Sequence, residues 1–170
     1  MARYTLKLNK EYEECISNIV NNLYVKGGVR FKKAEILARA LALLGHTSSM
    51  DNKGYSLLLY NPKTNKIHNK ISNMPGTGEP EKGFIKRGIS KIVGKISMKK
   101  YILTLNEKSE ECISEIVSNL YVMRGVRLKR GEVISSALTI LDYVSSMANE
   151  GYSLYLYDPK TNKVHQEIIF

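Results

Sequence analysis

Apolar and polar residues alternate without a break across "RYTLKLN" at residues 3–9, with Tyr4, Leu6 and Leu8 on one side and Arg3, Thr5 and Lys7 on the other. A period of two predicts a β-strand. Beyond Asn9 the period lengthens. Ile16, Ile19, Val20 and Leu23 fall at i, i+3, i+4 and i+7, which predicts an amphipathic helix. Asn9 suits its N-cap, Glu11, Glu13 and Glu14 suit the positive end of its dipole, and Gly27-Gly28 should stop it. A second helix is predicted from near Lys32 to about Leu44, with Ile36, Leu37, Ala40, Leu41 and Leu44 as its stripe. The stretch "YSLLLYNPKTNKIHNKI" then predicts a hairpin, turning at Asn61-Pro62, where proline pre-sets φ.

The whole pattern occurs twice. Residues 4–71 align with 101–168 without a gap, and 40 of the 68 positions are identical. The second copy repeats the strand with Leu103 and Leu105, the first stripe with Ile113, Ile116, Val117 and Leu120, and the second with Val133, Ile134, Ala137, Leu138 and Leu141. Its hairpin is "YSLYLYDPKTNKVHQEI", turning at Asp158-Pro159. Two copies predict a pseudo-dimer rather than a solenoid, which needs three or more stacked units. The expected division is unit 1 at 1–71, a basic linker at 72–99 and unit 2 at 100–170. The linker opens rich in Pro and Gly and closes with "FIKRGISKIVGKI", which fits a short amphipathic helix weakened by two internal glycines. A flexible stretch of that length reaches roughly 25–30 Å, enough for the copies to fold against each other.

The expected class is α+β. Within a unit, the N-terminal strand has no nearby partner for its backbone N–H and C=O groups. The economical solution pairs it antiparallel with its counterpart in the other copy. That brings Arg3, Thr5 and Lys7 beside Lys100, Ile102 and Thr104 on one open face. A two-stranded ribbon of this kind fits the major groove of B-DNA, about 12 Å wide.

Charge sharpens the picture. The chain carries +10 over 170 residues, and a polyanion, most often nucleic acid, is the natural partner of such a surface. Residues 1–71 hold 12 Lys/Arg against 5 Asp/Glu, residues 72–100 hold 7 against 2, and residues 101–170 hold 7 against 9. Attraction to a polyanion is therefore expected mainly from the first half and the middle segment. No apolar run approaches the roughly 20 residues that span a bilayer, and "MARYTLKLNK" lacks the apolar core of a signal peptide. A cytoplasmic, nucleoid-associated protein without membrane contact is expected.

Candidate chemistry is sparse. Cys15 and Cys112 occupy equivalent positions, neither in a CxxC pair nor grouped with His46, His68 or His165, so they read as small buried side chains rather than metal ligands. Ser48-Ser49 and Ser145-Ser146 have no neighbouring base, His68 and His165 have no orienting carboxylate, and no GxxxxGK[ST] loop is present. Neither an enzyme nor a cofactor is expected. Tyr24 and Tyr121 close the first-helix stripes and are assigned to the core. The tyrosines of the hairpins (Tyr55, Tyr60, Tyr152, Tyr155 and Tyr157) are expected to cover the core, extend a sheet or dock a protein.

The segments "RYTLKLNKEYEECISNIVNNLYVKGG", "AEILARAL" and "GEVISSAL" resemble the ribbon-helix-helix (MetJ/Arc/CopG) superfamily in its tandem single-chain form. The resemblance covers about 45 residues of each unit. It implies a sequence-specific double-stranded DNA-binding protein, a prokaryotic or viral transcription regulator, whose outward strand residues read bases. By position these are Arg3, Thr5, Lys7, Lys100, Ile102 and Thr104. Ile102 fits either contact with a thymine methyl or a face that no longer reads DNA. The resemblance also implies phosphate contacts at the start of the second helix, where Arg30, Lys32, Lys33, Arg127, Lys129 and Arg130 stand. That turn is about two residues longer than is usual for the family and lacks its Ser/Thr cap. Two other classes stay open: a protein-interaction module (an antitoxin or assembly adaptor using the hairpins, or self-association through them), and a relaxosome or architectural DNA-binding protein.

Overall fold

The computed structural model describes residues 3–8, 10–71, 99–125 and 127–168. The elements repeat in order: β1 (Arg3–Leu8), α1 (Lys10–Gly27), α2 (Lys33–Asn52), β2 (Ser56–Asn61) and β3 (Lys66–Ile71), then β4 (Lys99–Thr104), α3 (Glu107–Arg124), α4 (Arg130–Asn149), β5 (Ser153–Asp158) and β6 (Lys163–Ile168). The class is α+β, with four helices and antiparallel sheets among the described residues. The expected linker helix and the expected Asn9 cap lie outside the described residues.

Local chemistry sets the helix ends. Asn106, the counterpart of Asn9, caps α3 by accepting the Ser109 N–H at 2.9 Å. Gly28 and Gly125 end α1 and α3 in the left-handed region, at φ 68° and 66°, and their N–H groups donate to the carbonyls of Tyr24 and Tyr121 at 2.7 and 2.8 Å. The second helix runs on to Asn52 rather than ending near Leu44. The polar run "GHTSSM" looks like a break, but its hydroxyls are satisfied inside the helix: Thr47 Oγ1 donates to Leu44 O at 3.0 Å and Ser48 Oγ to Gly45 O at 2.9 Å. Both residues are buried there without an unmet hydrogen bond.

The apolar stripes close across the repeat rather than within it. α1 packs on α4, α3 on α2, and α2 crosses α4. Ile19 and Ile116, at equivalent positions, are both fully buried, as are Leu44 and Leu141. Each such side chain contributes about 1.5–3 kcal/mol relative to exposure. Polar bonds follow the same exchange. Tyr12 Oη bonds Ser135 Oγ, Cys15 Sγ reaches Leu138 O at 3.6 Å, and Cys112 Sγ donates to Leu41 O at 3.3 Å. The two thiols are half-buried rather than fully buried.

The strands obey the exchange too. β1 pairs antiparallel with β4, Thr5 standing opposite Ile102. The pair Arg3–Thr104 has Lys7–Lys100 as its image. The hairpins do not stand apart; they join into one antiparallel sheet ordered β3-β2-β5-β6, with Leu58 opposite Tyr155. Leu57, Leu59, Leu154 and Leu156 add to the helical core. At the hairpin tips Asn61 Oδ1 accepts the Lys63 and Thr64 N–H groups at 3.0 and 3.2 Å. Asp158 accepts the Lys160 N–H and the Thr161 hydroxyl, both at 2.8 Å. The Thr161 hydroxyl, and after it the Lys160 amide, hold the Asp158 carboxyl below its usual range.

Candidate nucleic-acid interface

A strand with no neighbour in its own half is completed by the other half, and the outcome is a ribbon of two strands only, with no third strand joined to it among the described residues. Its register puts the six candidate reading residues into three facing pairs: Arg3–Thr104, Thr5–Ile102 and Lys7–Lys100. These are alternate positions, so by backbone alternation they share one face. Their side-chain contacts lie outside the described residues. Like charges directly opposite destabilise a sheet unless something neutralises them. Lys7 and Lys100 are register partners of this kind.

The other six candidates stand where α2 and α4 begin. Lys32 and Lys129 are the N-cap residues, Lys33 and Arg130 open the helices, and Arg30 and Arg127 lie in the preceding turns. All six are exposed. The N-caps differ from a bare anion site. Glu35 and Glu132 reach back to accept the N–H of Lys32 and Lys129, each at 2.6 Å. A carboxylate therefore already occupies the N-cap amide of both helices, and cationic side chains stand around it. The Ser/Thr cap itself is missing, and the third helical residue makes the other bond of a capping box.

Tyr24 and Tyr121 are not core residues. They are 46% and 49% exposed, because they sit in the last turns of α1 and α3, past Leu23 and Leu120, the last buried members of the two stripes. Each ring lies under a guanidinium: Arg30 Cζ is 5.4 Å from the Tyr24 centroid and Arg127 Cζ 5.1 Å from that of Tyr121. A third pair, Arg39 over Phe31 at 4.2 Å, belongs to the first half; its counterparts are Ser136 and Leu128. Reading the sequence by stripe missed these partners. The signal was there in the recurrence of Tyr six residues before Arg across a glycine turn, as Tyr24/Gly28/Arg30 and Tyr121/Gly125/Arg127.

Among the described residues no group of His, Cys, Asp and Glu could hold a metal ion, and no helix is long and apolar enough to cross a membrane. Comparison with known protein families, with characterised proteins and with solved structures finds no match.

Proposed function

We propose that the chain is a sequence-specific double-stranded DNA-binding protein, a tandem ribbon-helix-helix pseudo-dimer acting as a transcriptional regulator. In this reading residues 1–71 and 100–170 are its two units and 72–99 their basic linker. The observation that carries the reading is the ribbon itself: the two lone strands pair with each other, Thr5 opposite Ile102. A two-stranded ribbon is an element the major groove admits. The cations at the start of α2 and α4 recur in both halves, as phosphate contacts on either side of one groove require.

Selection of bound sequences from random duplex DNA, with light scattering for stoichiometry, tests this. The expected site is an imperfect palindrome, since all three outward positions differ between copies. Arg3→Ala with Lys7→Ala should relax sequence preference, by about 1–3 kcal/mol for each base no longer read. Lys32→Ala with Lys33→Ala should weaken binding to all sequences and flatten its salt dependence. An Arg3/Lys7 variant that recovers the same site with equal preference overturns the readout.

One observation favours a second reading, a protein-docking module. β3 and β6 are the outer strands of the four-stranded sheet, and Ile67 and Val164, at equivalent positions on them, are 62% and 52% exposed. Outer strands can be extended by a partner's strand. Partner capture that survives removal of residues 1–8 but not of the hairpins would establish it.

A further inference from the structure

Arginine on an exposed turn ordinarily samples many rotamers, and a phosphate contact must first order it. Here three arginines among the described residues already lie over aromatic rings. Gly28, at φ 68° and bonded to Tyr24 O, turns the chain so that Arg30 returns over the Tyr24 ring. Gly125 does the same for Arg127 and Tyr121. Arg39, half-buried on α2, lies over Phe31. A guanidinium carries five N–H donors in a flat fork that matches phosphate oxygens, more than a ring contact engages.

Resting on the DNA reading above, we propose that Tyr24, Tyr121 and Phe31 are positioning residues, aromatic platforms that hold Arg30, Arg127 and Arg39 ready for the phosphodiesters flanking the ribbon. Among the described residues the platforms number two in the first half and one in the second. The first half therefore grips its side of the duplex more tightly, and the chain sits on its site in one orientation. The charge distribution runs the same way: residues 1–71 carry a net positive charge and residues 101–170 a net negative one.

The test measures binding of the full chain to the duplex recovered by selection, across a salt series, together with phosphate-ethylation interference. Tyr24→Leu with Tyr121→Leu should weaken binding about two- to fivefold per pair. It should also lower the slope of log affinity against log salt, by up to about 0.9 for each arginine released. Tyr24→Phe with Tyr121→Phe keeps the rings and should match the natural chain. Arg39→Ser, which gives the first half the second half's residue, should make a lopsided interference pattern nearly even. Thermal melting checks that each variant folds. A Leu variant that folds and keeps both affinity and slope overturns the platforms while leaving DNA binding in place. So does a Phe variant that behaves like the Leu variant, or an even pattern in the natural chain. A natural chain that retains no duplex at low salt overturns the DNA reading, and this inference with it.

Discussion

Gly45 and Asp142 occupy the same turn of α2 and α4, yet they meet the cysteine of the opposite half differently. A Cβ on Gly45 would lie 2.9 Å from Cys112 Sγ, too close without a shift. Asp142 instead sets a carboxylate near the Cys15 thiol, which burial, and after it the carboxylate's charge, pushes up to about 12. Burial also raises the Asp142 carboxyl above its ordinary value. The sign follows: a carboxyl with its folded pKa above its unfolded one favours folding when protonated, and its ionised form costs stability as pH rises through the folded value. Asp142→Asn should therefore raise the melting temperature at neutral pH, by a few degrees at most. The gain should vanish as pH falls toward 3.8, the carboxyl's ordinary value, which melting curves across that range would show. At this scale the sequence was legible in part. It marked Arg30, Lys32 and Lys33 as exposed cations, but it assigned Tyr24 to the core, because periodicity continues a stripe past the point where the covering helix stops.

Elements were more legible where backbone bonding forced the answer. A strand needs a partner, β1 had none in its own half, and β1 pairs with β4. Nothing comparable forced β2 onto β5, since a hairpin already pairs its own strands. Even so, "SLLLY" and "SLYLY" are apolar at consecutive positions, the mark of an interior strand covered on both faces rather than an edge, and Leu57, Leu58 and Leu59 are all buried. The second helix was underestimated for another reason: hydroxyls that bond back to carbonyls make "GHTSSM" helical, and composition alone reads such a run as a loop. At the other end of a helix, one side chain governs. Asn106 satisfies the Ser109 amide, so Asn106→Ala should cost about 0.5–2 kcal/mol. Chemical denaturation should show this as a lower midpoint with an unchanged slope.

For the whole molecule, the decisive fact is that α1 packs on α4 and α3 on α2. Neither half encloses a core alone: Ile16, Ile19 and Leu23 have their cover in the other half. Residues 1–71 expressed alone should therefore form a homodimer that melts lower as it is diluted, while the full chain melts at a temperature independent of concentration. Calorimetry at a series of concentrations would separate the two, and a monomeric, folded half would contradict the interlock. Joining the halves makes association intramolecular, so it no longer depends on the concentration of chains. It also changes what the dyad permits. Two identical chains must set every residue on their twofold axis against itself, so a substitution there is always made twice and in contact with its own copy. The two pairs at which this chain's strands cross that axis are Thr5–Ile102 and Leu58–Tyr155, and both are unlike. A position frozen by symmetry in a two-chain assembly has become, within one chain, free to change one side at a time.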